Sequence, residues 1–210
     1  MNTHKILVIG ANGTVGSELV DILKTSGHQV FRGTSKAPQS QEDVQLNLAT
    51  GEGVKDAFSK VERVFLISPP GYADHYEILS PLIQEAKRQG LKKVVLMTAM
   101  GANADENSPF RRAEVELENS GLKYNILRPN WFLQNFNTFW IQGINENKKI
   151  QLPAGDAKTS FIDSRDISAV AAKLLTDDSF NNQDFDITGP EAITHEQVAK
   201  AIGEEIKTQI

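Results

Sequence analysis

No cysteine occurs in the 210 residues. Disulfides, thiolate chemistry, iron–sulfur clusters and cysteine zinc sites are therefore excluded from this sequence. Positive charge is also scarce. Lys and Arg number 22 against 27 Asp and Glu, a net charge of −5 and a pI near 5.4. No basic cluster exceeds two residues, as at Lys92-Lys93, a poor footprint for nucleic acid. Apolar runs are short. The first, Ile6 to Ile9, is cut off by Gly10, too brief for the core of a signal peptide, and nothing approaches the roughly 20 residues of a membrane span. The expectation is a cytoplasmic chain without signal peptide, membrane contact or nucleic-acid partner. Only four histidines are present, His4, His28, His75 and His195, and they lack metal-ligand spacing, so no metal is expected. What remains is ordinary: 40% hydrophobic and 23% charged residues, the composition of a globular chain.

The apolar residues change period along the chain. Lys5 to Ile9 reads as a buried strand, and Val15, Leu19, Val20, Ile22 and Leu23 then fall at helical spacing up to Gly27. Strands follow at Gln29 to Arg32 and Val44 to Leu48, a short helix at Val54 to Phe58, and a strand at Arg63 to Ile67 stopped by Ser68-Pro69-Pro70. A helix at Tyr76 to Ala86, a strand at Lys93 to Met97, a charged helix at Phe110 to Glu118 and a strand at Tyr124 to Leu127 complete the alternation. Strands alternating with helices imply right-handed crossovers and a parallel sheet covered on both faces. The expected fold class is α/β, a doubly wound parallel-sheet Rossmann fold, with residues 1–128 as the nucleotide-binding core. Residues 129–210 read as a small, apparently shortened C-terminal substrate lobe. It holds an aromatic-rich helix over Trp131 to Asn145, a loop over Gln151 to Ser160 and a helix at Ile167 to Leu175. A strand at Phe185 to Ile187 follows, and Thr194 caps a last helix reaching Ile202.

Gly10-Ala11-Asn12-Gly13-Thr14-Val15-Gly16 stands between the first strand and the first helix. Glycines at intervals of three in that place suit a tight turn, close approach of a pyrophosphate and close helix–strand packing. The helix N-terminus adds free N–H groups and a positive dipole end. Gly10, Asn12, Gly13, Thr14, Val15 and Gly16 are thus candidate cofactor contacts. Readers of NAD carry an acidic residue at the end of the second strand, and readers of NADP carry arginine nearby. Here Arg32 is followed by Gly33-Thr34-Ser35-Lys36, with no acidic residue before Glu42. Arg32 and Lys36 suit a 2′-phosphate, so the expected cofactor is NADP(H). Ser68 and Pro69 end the fourth strand where ribose or nicotinamide is expected.

The glycine loop is followed in order by Phe65-Leu66-Ile67-Ser68-Pro69-Pro70, Ala113-Glu114 before Ser120-Gly121, Leu127 to Phe136 and Phe161 to Ile167. Together these motifs resemble the NmrA-like group of atypical short-chain dehydrogenases/reductases. That group includes quinone and triphenylmethane-dye reductases, ergot-alkaloid dehydrogenases and non-catalytic redox-sensing regulators. The run Arg128-Pro129-Asn130-Trp131-Phe132-Leu133-Gln134-Asn135-Phe136 is most similar to the ergot-alkaloid branch.

The resemblance implies further positions. Asn47 stands where relatives carry an adenine-binding Asp. Thr98 falls at the catalytic-serine equivalent, where it serves cofactor, substrate or only local backbone. Asn130, Trp131 and Asn135 are candidate substrate contacts. The positions of the usual Tyr-Lys dyad hold Phe110 and Glu114, and Tyr72, Tyr76 and Tyr124 have no Lys four residues on. No catalytic residue is assigned. Relatives also continue past the last helix, so the pocket is expected to be more open, completed by a partner subunit, or non-functional. The leading expectation is an NADPH-dependent oxidoreductase passing hydride to a small quinone, dye or imine acceptor without the dyad, with a homo-oligomer compatible. The alternative is an NADP(H)-binding regulator that senses redox poise.

Overall fold

The computed structural model describes residues 3–210. The first half alternates strand and helix: β1 Lys5–Ile9, α1 Thr14–Thr25, β2 Gln29–Thr34, β3 Asp43–Gln45, α2 Val54–Phe58, β4 Arg63–Ile67, α3 His75–Gln89, β5 Lys93–Met97, α4 Pro109–Glu118 and β6 Tyr124–Pro129. Then come α5 Ile141–Asn147, β7 Lys158–Thr159, α6 Ser164–Thr176, β8 Gln183–Ile187, β9 Ile193–Thr194 and α7 His195–Ile206. Seven strands form one parallel sheet in the order β3-β2-β1-β4-β5-β6-β8. The doubly wound α/β class expected from the alternation is the class observed.

The period-two alternation of a strand divides the core between two faces. Leu7 and Ile9 of β1 face the layer of α2, α3 and α4, with Phe58, Leu79, Leu82 and Leu117 buried beside them. Ile6 and Val8 face α1 and α6, among Leu19, Leu23, Ile167 and Leu175. Burial on both faces explains why these strands read as continuous apolar runs. The chain crosses to opposite sides of the sheet after β1 and β4, so a crevice opens at their carboxyl ends, the usual ligand position in such sheets.

Beyond residue 128 the chain adds a strand to the sheet and a helix to the α1 layer. α6 packs on α1, where Ser168 Oγ donates to the Val15 carbonyl at 2.9 Å, and β8 pairs with β6. The part standing apart comprises a 3-10 turn at Leu133–Asn137, α5, the antiparallel pair β7–β9 and α7, around Phe136, Ile144, Phe161 and Val198. Two expected elements differ. Trp131 to Asn145 is not one helix. Phe132 bridges Ile162 in extended conformation, and Thr138 (φ −126°, ψ −83°) separates the 3-10 turn from α5. Trp, Phe, Asn and Thr form helix weakly, and the strand-like bridge captures the start of the run. The third strand covers Asp43–Gln45 rather than Val44 to Leu48, because Asn47 closes a turn onto the Ala49 and Thr50 N–H groups. The cap on the last helix is as expected: Thr194 and Gln197 form a reciprocal capping box. Among the described residues no helix is long and apolar enough to cross a membrane.

Candidate functional site

A cleft of about 470 Å³ lies over the carboxyl ends of β1, β2 and β4. One wall is the turn from β1 into α1. Gly10 has φ +72°, which a side chain would strain, and the Gly13 N–H donates back to its carbonyl at 2.9 Å. A Cβ at Gly16 would stand 2.1 Å from the Gly10 oxygen, so only glycine lets α1 start this close to the strand. A Cβ at Gly13 would meet the same oxygen at 3.2 Å.

The N-terminus of α1 has no side-chain cap and no acidic residue in its first turn. By contrast Asp74, Ser108, Asp163 and Thr194 cap α3, α4, α6 and α7. The first N–H groups of a helix have no partner within it, so α1 presents donors and its positive dipole end beside the cleft. A diphosphate fits that donor set.

Of the residues expected to touch cofactor, Gly10, Asn12, Gly13, Lys36, Asn47, Ser68 and Pro69 line the cleft. Val15 and Gly16 are buried in the first turn of α1, with Thr14 exposed ahead of them. Lys36 is exposed on the cleft wall, held by a backbone N–H to Thr34 Oγ1 at 3.1 Å. Arg32 is differently placed. Its Nη2 donates to Asn12 Oδ1 at 2.6 Å, and its Nη1 lies 3.6 Å from Asp43 Oδ1. Asp43 stands opposite Arg32 in the β2–β3 register. The Gln39 and Ser40 N–H groups and the nearby guanidinium together hold its carboxyl below the ordinary range. The side-chain carbonyl of Asn47 is engaged by Ala49 and Thr50.

The end of β5 is tied to α4 and β6. Thr98 Oγ1 donates to Glu114 Oε1 at 2.6 Å, so its only hydroxyl hydrogen is directed away from any ligand. Arg128 grips both Glu114 oxygens, Nε to Oε1 at 2.9 Å and Nη2 to Oε2 at 2.8 Å, and also reaches Asp184 at 2.5 Å. Arg111 is a third partner of Glu114, at 3.3 Å. The bonds to Glu114 raise the Arg128 pKa. Thr98, Glu114 and Arg128 are all buried. Position 114 therefore carries a clamp between helix and sheet. The signal in the sequence is its place beside Ala113 and Leu117 on the inward face of α4, where an acid needs a partner.

Asn130 accepts from the Trp131 N–H at 2.8 Å and donates to Ser160 Oγ at 3.3 Å. Trp131 is 57% exposed, and Asn135 is buried in the 3-10 turn. These three substrate candidates lie outside the cleft lining. Asp163 is the N-cap of α6, where bonding to Arg165 lowers its pKa.

A family model described as NAD(P)H-binding matches residues 10–178. The chain belongs to the NAD(P)H-binding family. The NAD(P)H azoreductase of Xenophilus azovorans is 33% identical, over 94% of this chain and 72% of that protein. Two solved structures share the fold. The triphenylmethane reductase of Citrobacter sp., complexed with NADP(H), superposes with a TM-score of 0.83 at 18% identity, covering 98% of this chain and 77% of that one. The NADPH-dependent quinone oxidoreductase of Escherichia coli, complexed with NADPH, gives 0.83 at 21%, over 97% and 76%. The family resemblance expected from the ordered motifs is thus borne out.

Proposed function

We propose that this chain is an NADPH-dependent oxidoreductase that passes hydride to a small organic acceptor of the quinone, azo-dye or imine class, without a Tyr-Lys dyad. The observation carrying this reading is the cleft itself: an uncapped helix N-terminus and a cation, Lys36, at opposite parts of one 470 Å³ groove at the sheet's switch point. The α1 N–H groups hold the diphosphate, and Gly13, without a side chain, leaves room for its approach. Lys36, with the Thr34 and Ser35 hydroxyls, holds the 2′-phosphate by charge-assisted bonds. Arg32 supports Asn12 from behind. The tie between Asp43 and Arg32 keeps that carboxylate from serving a 2′-hydroxyl. Ser68 and Pro69 line the other end of the cleft, where Tyr72 offers an exposed aromatic face to a flat acceptor. When bound, the reduced nicotinamide supplies an electron pair and one hydrogen as hydride. The protein positions the acceptor and excludes water.

Glu114 takes no part in proton transfer in this reading, since Arg128 and Arg111 engage its oxygens in the interior. The azo, dye and quinone acceptors named for the related proteins motivate the acceptor panel. The test is consumption of NADPH with quinones, azo and triphenylmethane dyes and iminium salts. Turnover with at least one class, and slower turnover with NADH, is expected. Tight NADPH binding with no turnover across the panel would contradict the reading and favour a nucleotide-sensing role.

A further inference from the structure

Hydride transfer to a quinone leaves a hydroquinone anion that needs one proton, and the hydroxyls near the cleft differ in their freedom to give one. Thr98 has committed its hydrogen to Glu114. Ser68 has not. It ends β4 on the cleft wall, and its Oγ lies 2.9 Å from Nδ1 of His75, the first residue of α3. The imidazole stacks on Phe110 of α4, with ring centroids 4.3 Å apart and planes within 6°. Phe110 is the residue at the expected tyrosine position of the dyad. A titratable ring thus lies against the side chain that replaces the dyad tyrosine, and one hydrogen bond joins it to a hydroxyl on the cleft.

We propose that Ser68 and His75 form a proton-delivering pair at the acceptor end of the cleft, a proposal that rests on the hydride-transfer reading above. In the imidazolium both ring nitrogens are donors, so Nδ1–H points at Ser68 Oγ and frees the serine hydrogen for the cleft. As the acceptor gains the hydride and its electron pair, the Ser68 O–H bond breaks and an acceptor O–H bond forms. The Nδ1–H bond then breaks as the serine O–H is restored. The ring is left neutral and recovers its proton from solvent through its half-exposed edge. The acceptor is reduced by two electrons, the nicotinamide is oxidised by two, and one solvent proton is consumed.

The charges around His75 are few. Asp74, the N-cap of α3, is adjacent, and Arg112 of α4 pairs with it at 3.4 Å while lying over the Tyr76 ring. Glu77, on the same helix, is exposed. Burial outweighs the Asp74 charge and holds the imidazole pKa below its ordinary value of 6.5. Protonation through this pair therefore weakens as pH rises through that lowered value.

The experiment compares an acceptor that needs a proton with one that does not. Menadione requires hydride plus proton, whereas the malachite green cation becomes neutral on hydride alone. At about pH 6, His75→Gln, which keeps a polar side chain but cannot titrate, is expected to lower the ratio of menadione to malachite green turnover about hundredfold. Ser68→Ala should do the same. Independently of turnover, ¹⁵N NMR of the full chain with NADP⁺ should show Ser68→Ala moving the His75 titration midpoint and Nδ1 shift. The proposal is overturned if the ratio stays within threefold, if Tyr72→Phe collapses it instead, or if Ser68→Ala leaves the His75 signals unmoved. Failure of the parent protein to reduce either acceptor overturns the hydride-transfer reading and the proposal with it. Dye reduction with an unmoved ratio overturns the proposal alone.

Discussion

At the amino end of the sheet, Arg63 of β4 donates to the Leu175 carbonyl at 2.7 Å and forks onto Asp178 at 2.9 and 3.1 Å. Lys93 of β5 reaches the Asp177 carbonyl at 2.8 Å, and Glu62 holds His4 and Lys92 at 2.7 and 2.6 Å. At the carboxyl end the glycine turn leaves helix N–H groups uncapped, and Tyr72, Met100 and Trp131 are exposed. The amino end closes its polar groups on one another, whereas at the carboxyl end the donors of the glycine turn stay open. Substitutions at the amino end should therefore change stability, and those at the carboxyl end binding. Glu114–Arg128 is the exception that sharpens the contrast, a clamp of the amino-end kind set beside the cleft.

That exception carries the largest expected effect. Glu114→Gln leaves the buried Arg128 guanidinium short of its main counter-charge, a loss of about 3–5 kcal/mol. For a chain of this length the midpoint of thermal unfolding should fall by about 10 °C. Calorimetry with nucleotide titration checks this: NADPH affinity of the folded variant should stay within about fivefold of the parent. An unchanged midpoint with lost affinity would move Glu114 into the site.

Lys93 tests the amino end by pH. Its side chain is fully buried, and burial lowers its pKa from 10.5 to about 8. Between those values the unfolded chain holds a proton that the folded chain has shed. Stability from this group therefore rises with pH across that window, by up to about 3 kcal/mol. Tyr124, whose pKa burial raises above 10, acts in the opposite direction near the top of the window. The readout is thus the difference between parent and Lys93→Met in urea unfolding at about pH 7.5 and pH 10. The difference should shift in favour of the parent as pH rises; a flat difference would show that Lys93 is not desolvated.

Gly13→Val tests the open end. Gly13 has φ −84°, open to any residue, and its Cβ would press the Gly10 oxygen at 3.2 Å, which a small shift relieves, while the rest of the side chain would crowd the space proposed for the diphosphate. NADPH affinity should fall about hundredfold or more, with the unfolding midpoint within a few degrees of the parent. Undiminished binding by calorimetry would put the phosphates elsewhere. Smaller still, Lys36→Ala should weaken NADPH about tenfold while barely touching NADH.

The same division explains what the residues alone revealed. Lys5–Ile9, Arg63–Ile67 and Lys93–Met97 are legible to the residue because each is an apolar run with a hard stop, and the glycine spacing marks where the nucleotide turn begins. The break after Trp131 was hidden because it depends on a bridge to Ile162, 30 positions away. Side-chain pairings were hidden for a related reason. Asp43 opposite Arg32, Arg128 on Glu114 and His75 on Ser68 follow from strand register and crossover geometry. Arg32 looked free for phosphate because its partners are 20 residues before it and 11 after it in sequence.

The central claim, that the open carboxyl end is built for a 2′-phosphorylated dinucleotide, is tested most directly by calorimetric titration of the parent chain with NADPH and with NADH under one buffer and salt. NADPH should bind at least about tenfold more tightly, the worth of one charge-assisted phosphate contact. Equal affinities, or tighter binding of NADH, would contradict it.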